Sequence, residues 1–334
     1  MRKKILVLTQ KVDPHVEPVA QEIQRRNRQV IRFDFGDFPD HVQLVAPLGL
    51  RHWNGTLRYA DAEHALDEFQ SIWWRRPNTP QAAPGYDMPT RAFLNRENLR
   101  GFIGVLQQQG EGQDGFFWVS KRDRIQSAEF KPYQLQEAQA LGLDIPRTLV
   151  TNSPSAARRF YDECNSRMIV KAVGKGEVDP NNVQDFGDER FIYTSQVTHE
   201  DLDELDGVRV CAHLFQERIA KVMDLRVVVI GRRVFTIGIH ASQEHHALDW
   251  RIDYSTLTYS IEHLPAEVEH RALALVRAFG LQFSSMDFVL SPEGKYIFIE
   301  LNPNGQFLWL SPPTGLPMAA AMADLLCFPQ EYRL

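Results

Sequence analysis

Met286-Asp287-Phe288-Val289-Leu290, a Pro292-Glu293-Gly294 turn and Tyr296-Ile297-Phe298-Ile299-Glu300-Leu301-Asn302 read together as a β-hairpin near the C-terminus. Side chains alternate across a strand, so Glu300 and Asn302, two residues apart, leave on one face. Asp287, on the partner strand, is close enough in the expected register to join them. Asp287 and Glu300 both adjoin apolar segments, and a carboxylate withdrawn from water needs a partner. Three oxygen donors beside an Asn302-Pro303-Asn304-Gly305 loop suit Mg2+, which takes carboxylate and amide oxygens together with phosphate and water. The competing reading is a polar strand end at the surface.

Cations lie upstream of this acidic face. In Met168-Ile169-Val170-Lys171-Ala172-Val173 a single charge interrupts an apolar strand, and Lys171 either snorkels to the edge or meets an anion. Lys131 precedes Pro132, which suits the first turn of a helix because its missing N–H costs nothing there. A helix start adds N–H donors and a favourable dipole, so Lys131 is placed for a phosphate oxygen. Further basic groups stand in Asp224-Leu225-Arg226 and Asp249-Trp250-Arg251.

The rest of the chain frames these residues. Lys4 to Thr9, Val16 to Arg26 and Gln29 to Phe35 read as strand, helix, strand, the start of a parallel, helix-covered, Rossmann-like sheet. Ser71 to Trp74 is another strand. A loop holding Pro80, Pro84 and Pro89 follows, then a long helix from Thr90 to Gln109 and an aromatic strand from Phe116 to Ser120. The pattern next predicts a helix over Pro132 to Leu141, a strand over Arg147 to Thr151 and a helix over Pro154 to Glu163. From Met168 onward antiparallel strands dominate: 168–173, 191–195, 212–219, 225–230, 234–240, 282–290 and 296–301. One helix, Ala266 to Phe279, interrupts them, and another closes the chain near Pro317 to Leu326.

Composition sets the outer bounds. With 334 residues, 43% hydrophobic and 24% charged, the chain is long enough for two or three domains and excludes disorder. Its 37 Lys and Arg against 43 Asp and Glu give a net charge of -6, so no global basic field invites nucleic acid. Three scattered cysteines make neither a disulfide framework nor a metal knuckle. The apolar run at Ile5 to Thr9 is too short for a signal peptide, and no stretch is long enough to span a membrane. The expectation is a soluble cytoplasmic protein with no membrane partner.

Several motifs carry less. Gly110-Glu111-Gly112-Gln113-Asp114-Gly115 matches GxGxxG, but a helix precedes it and a strand follows, the reverse of a dinucleotide fingerprint. His240, His245 and His246 cluster around Glu244 without a zinc-site spacing, and a surface loop is the better reading. Arg25, Arg26 and Arg28 read as a solvated helix face.

The ordered set of Lys131, Lys171, Gln216-Glu217-Arg218-Ile219, Asp224-x-Arg226, Asp287, Glu300 and Asn302 resembles an ATP-grasp ligase. More closely, the chain is similar to the ATP-grasp maturases of microviridins and related graspetides. That resemblance rests on Trp74-Arg75-Arg76-Pro77, Glu129-Phe130-Lys131-Pro132-Tyr133-Gln134-Leu135-Gln136, Ile145 to Asn152, Asp249-Trp250-Arg251 and Leu301 to Trp309. It implies an α/β (α+β) ATP-grasp fold with an N-terminal Rossmann-like pre-ATP-grasp domain over 1–120, a central subdomain over 121–205 and a C-terminal subdomain over 206–334 that carries the metal site. It further implies that ATP phosphorylates a side-chain carboxylate of a precursor peptide, and that a hydroxyl or amine of the same peptide closes an ester or amide.

Carried onto this sequence, Lys131 and Lys171 would hold phosphates. Gln216, Glu217, Arg218 and Ile219 would line adenine, and Asp224 would touch the nucleoside. Asp287, Glu300 and Asn302 would hold Mg2+, and Arg226 and Arg251 would stabilise developing negative charge. The precursor leader is expected along Glu177 to Asp206, and a homodimer is the family expectation. Where many ATP-grasp ligases have a phosphate-covering loop, this chain has Gly174-Lys175-Gly176-Glu177-Val178-Asp179, with two acids. The rival readings are a ligase joining free amino acids or short peptides, and a catalytically silent peptide-binding protein.

Overall fold

The computed structural model describes residues 4–49, 53–83, 85–107, 116–174, 176–178, 190–241 and 256–334. Outside them lie Gly110 to Gly115, Lys175, Glu244, His245, His246 and the Asp249-Trp250-Arg251 motif with its candidate Arg251.

The first unit is built on β1 (Lys4–Thr9), β2 (Gln29–Phe33), β6 (Phe69–Arg76) and β7 (Phe117–Trp118), all parallel in the order β2-β1-β6-β7. The helices are α1 (Val16–Arg25) and α2 (Met88–Gln107). This is the expected Rossmann-like start. Between β2 and β6 stand three short antiparallel strands, β3 (Val42–Val45), β4 (Thr56–Tyr59) and β5 (Ala62–Ala65). At four residues each, with polar and apolar side chains mixed, they leave little periodic signal. Arg26 is not solvated as expected: it reaches across to Asp324 at 2.7 Å.

The second unit is an antiparallel sheet of β8 (Thr148–Thr151), β9 (Met168–Lys171), β12 (Ser195–Val197) and β13 (His213–Glu217), in the order β12-β9-β13-β8, backed by α5 (Pro154–Glu163). The two-residue strands β10 (Glu177–Val178) and β11 (Arg190–Phe191) pair separately, so the single strand expected over 191–195 is split between two sheets. Phe160, Tyr161, Met168, Leu202 and Phe215 give this unit a core of its own.

The third unit is a five-stranded antiparallel sheet, β14 (Met223–Ile230), β15 (Arg233–Ala241), β16 (Leu257–Glu262), β17 (Phe283–Leu290) and β18 (Tyr296–Asn302), in the order β16-β15-β14-β17-β18. It is covered by α6 (Ala266–Ala278), and also by α4 (Lys131–Ala140), which follows α3 (Arg122–Ala128). Pro132 sits in the first turn of α4 as expected, and Gly142 ends that helix with a positive φ of 83°. Two groupings made from the sequence are corrected here. Residues 213–217 pair with β8 and β9 and belong to the central sheet, and α4 packs on β18 and α6 of the third unit. Both assignments depend on partners distant in sequence.

The first and third units share their cores, Leu6, Phe33 and Trp74 being continuous with Leu225, Val227 and Phe288. A polar seam runs through this junction. Arg75, 1% exposed, lies 3.5 Å from Asp13 and donates to the carbonyl of Asn304. Asp13 also accepts from Thr9 Oγ1 at 2.7 Å and from the His15 N–H at 3.0 Å. His15 stacks on Phe307, and its Nδ1 accepts from the Leu308 N–H at 3.1 Å.

Burial first, and Arg75 next, hold His15 down from 6.5 to about 4, against the opposing pull of Asp13. The unfolded chain takes up a proton near pH 6.5 that the fold refuses. Stability is therefore full above pH 6.5 and falls as pH drops toward 4, by about 3 kcal/mol in all. Urea midpoints across this window should fall less steeply for His15→Asn than for wild type, and equal slopes would contradict the assignment.

Candidate functional site

The hairpin of β17 and β18 places Asp287 directly opposite Glu300, and β14 places Arg226 opposite Asp287. A register shift follows Asp287. Like charges facing across a strand pair repel, and at 17% and 13% side-chain exposure these two carboxylates get little help from water. Three groups offset the repulsion. Arg226 donates to Asp287 Oδ1 at 2.8 Å. Lys131 Nζ lies 3.4 Å from Glu300 Oε2 and also donates to the Ala172 carbonyl at 3.0 Å. The Asn302 amide donates to Glu300 at 3.1 Å and to Asp287 at 3.3 Å.

That both carboxylates reach one amide nitrogen shows that they converge on one point. Turned over, the same amide offers its oxygen there, which makes two carboxylates and one carbonyl oxygen, a donor set suited to Mg2+. Among the described residues no group of three or more His, Cys, Asp or Glu side chains could hold a metal, so this mixed set is the candidate.

The site opens into a cavity of about 490 Å3 between the central and C-terminal sheets. All eleven predicted site residues that fall within the described regions line it. Lys171, Gln216, Glu217, Arg218 and Ile219 come from the central side; Lys131, Asp224, Arg226, Asp287, Glu300 and Asn302 come from the other. Gln216, nearly fully buried, donates to Thr148 Oγ1 at 3.1 Å. Glu217 meets Arg167 at 3.3 Å, and Arg218 donates to Gln196 at 2.8 Å. Asp224 is paired with Lys221 at 2.6 Å. Lys131 is the first residue of α4 rather than a residue ahead of it.

The structure adds residues that had been given no role in the site. Lys221 lines the cavity three positions before Asp224, a charge spacing visible in the sequence. Arg76, at the end of β6, brings the first unit to the cavity and donates to the Asn304 carbonyl at 3.2 Å, the oxygen that Arg75 also holds. Phe288, Ile299, Tyr193 and Trp309 supply apolar wall. Nothing local marks these four as lining residues, because the cavity exists only once two sheets face each other.

The family model of the MvdD pre-ATP grasp domain matches residues 4–114. Among solved structures, the macrocyclase MdnC of Microcystis aeruginosa MRC, bound with precursor peptide MdnA, is 30% identical over 97% of this chain and 98% of that one, with a TM-score of 0.82. Macrocyclase MdnB of the same strain is 30% identical over 98% and 99%, with a TM-score of 0.79. A RiPP-associated ATP-grasp ligase of Chryseobacterium gregarium, in complex with ADP and a leader and core peptide, is 27% identical over 97% and 96%, with a TM-score of 0.85. No curated protein matches the chain.

The turn after β18 leaves no room for growth. A Cβ on Gly305 would stand 2.6 Å from the Ser285 Cβ and 3.1 Å from the Asn302 Cβ. Gly305→Ala should therefore cost about 1–3 kcal/mol by overpacking. Urea unfolding reads this directly, and an unchanged midpoint would show that the turn gives way freely.

Proposed function

The chain belongs to the RiPP ATP-grasp macrocyclases, and from that premise we propose that it activates side-chain carboxylates of a ribosomal precursor peptide and closes them into ester or amide crosslinks. The observation that carries this reading is the cavity: two opposed carboxylates, an amide and the cations Lys131, Lys171 and Arg226 all line it. A purely binding scaffold has no need to maintain that arrangement. The γ-phosphoryl group of ATP passes to a peptide carboxylate oxygen and ADP leaves. A hydroxyl or amine of the same peptide then attacks the acyl carbon, expels phosphate and loses its proton.

In this reading Lys131 and Lys171 bind phosphate oxygens, Lys131 with the dipole of α4 behind it. The segment Gln216 to Ile219 borders adenine; its Glu217 and Arg218 N–H groups are already given to the Arg147 and Arg167 carbonyls. Asp224, steadied by Lys221, reaches the nucleoside. Asp287, Glu300 and Asn302 hold Mg2+, which when bound neutralises charge developing on the phosphoryl oxygens. Arg226, fixed in register by Asp287, faces that charge and stabilises it, and Arg251 is the second cation proposed for this role. ATP thus lies between the central and C-terminal units, and the separate core of the central unit allows it to close over the nucleotide.

The finer reading is a microviridin-type cyclase that works as a cytoplasmic homodimer. Use of ATP and three free cysteines favour the cytoplasm, and no described helix is long and apolar enough to cross a membrane. Sedimentation of the purified chain tests the dimer.

Incubation with ATP, Mg2+ and precursor peptides whose cores pair acidic with hydroxyl or amine side chains should release ADP and lower peptide mass by about 18 Da per crosslink, the water lost in acyl transfer. A mass gain would mean ligation of a second molecule, and tight peptide binding without ADP release would mean a silent scaffold. Glu300→Gln should abolish turnover with the fold intact, and full activity would remove the metal assignment. Removing the Arg226 guanidinium should cost about 2–4 kcal/mol of transition-state stabilisation, read from kcat/KM.

A further inference from the structure

β18 is an edge strand, and on its outer side the Phe298 N–H is met by the Asp144 carbonyl at 2.8 Å, with no strand continuing alongside toward Leu301. At the residue between the two candidate metal donors, a side chain takes the place of that strand. Gln134 of α4, 2% exposed, accepts from the Leu301 N–H through Oε1 at 2.8 Å. Its Nε2 donates to the Leu301 carbonyl at 2.7 Å and to the Ala128 carbonyl at 2.5 Å. A carboxamide offers two N–H donors and an acceptor oxygen, and all three functions are used here. Leu301 is flanked by Glu300 and Asn302, and its own side chain is packed into the core. Lys131, which faces Glu300, stands three residues before Gln134 on the same helix, one turn away.

One buried amide therefore ties the helix that carries the cation to the backbone that carries two donors. α4 and β18 are far apart in sequence, so contacts between them set the spacing of Lys131 from the Glu300–Asn302 pair, and these bonds are the ones that grip the backbone between the two donors. We propose that Gln134 is a positioning residue of the nucleotide and metal site, holding Glu300 and Asn302 at the distance from Lys131 that a metal-bound nucleotide requires. The proposal rests on the reading of the cavity as the ATP and Mg2+ site. An apolar residue of the same size would preserve the packing of α4 on β18 and leave both backbone groups of Leu301 buried without partners, at the cost of the register of the two donors.

The test is ADP binding by titration calorimetry, with and without Mg2+, on the full chain and on Gln134→Met and Gln134→Glu, with thermal unfolding measured beside it. Partners that orient metal ligands are worth about 10–100-fold in metal affinity. Folded Gln134→Met should therefore bind ADP with Mg2+ at least about tenfold more weakly, with a smaller loss when Mg2+ is omitted and an unchanged KM for the peptide. A merely structural contact would lower the unfolding temperature and leave both affinities of the folded protein alone.

Gln134→Glu supplies a second readout. Ionised, its carboxylate can accept from Leu301 but faces two carbonyl oxygens; protonated, it regains one donor, and burial raises the pKa at which this happens. Its affinity for ADP with Mg2+ should recover toward wild type as pH falls from about 8 to about 6. Wild-type affinity in folded Gln134→Met, or a pH-independent Gln134→Glu equal to wild type, overturns the proposal alone. Failure of both variants to fold also overturns it, placing the contact in the fold rather than in the site. Wild-type protein that does not bind ADP with Mg2+ overturns the reading of the cavity, and this proposal with it.

Discussion

Asp287 and Glu300 stand opposite each other on neighbouring strands of a sheet face largely removed from water, and that opposition constrains everything around it. At about 5 Å and an effective dielectric near 20, two such charges repel by about 3 kcal/mol. The fold places Arg226 in register with one, Lys131 beside the other and the Asn302 amide between them. Two of the three arrive from distant parts of the chain, Arg226 on β14 and Lys131 on α4, whereas Asn302 lies two residues beyond Glu300 on the same strand. A site that holds two carboxylates together with cations close by has the elements needed to take up a divalent ion and a polyphosphate at once.

The framework explains why this arrangement can be held. The first and third units share continuous apolar cores, so the strand ends that meet at the cavity are set by rigid packing. Arg75 and Arg76, consecutive on β6, both donate to the Asn304 carbonyl, pinning the turn that follows Asn302 from the side of the first unit. Gln134 pins the other side. The central sheet, with its own small core, contributes Lys171 and the Gln216 to Ile219 segment across the cavity. Division into a floor of shared core and a separately packed roof would suit the proposed reaction, in which water must be kept from an acyl phosphate.

Much of this was legible in the sequence because the decisive signals are local. Alternation in β17 and β18 put Glu300 and Asn302 on one face, the lone charge in β9 marked Lys171, and Pro132 marked the start of the helix bearing Lys131. The resemblance to ATP-grasp maturases supplied Gln216 to Ile219 and Asp224 as candidates, which no spacing argument reaches. What could not be read depends on partners far apart in sequence: that β13 pairs with the central sheet, that α4 packs on β18, that Arg26 meets Asp324, and that Gln134 completes the backbone of Leu301. The strands β3 to β5 were missed for a different reason, being short and of mixed polarity, so that no face dominates.

Asp287, Glu300 and Asn302 are proposed to form one metal site facing Lys131 and Arg226. Crystals grown with ADP and Mn2+ in place of Mg2+ test it most directly, because anomalous scattering locates Mn2+ independently of the protein coordinates. An anomalous peak is expected within about 2.0–2.6 Å of oxygens from both Asp287 and Glu300, the range of hard-cation coordination. A peak elsewhere in the cavity, out of coordination range of Asp287 and Glu300, would contradict it.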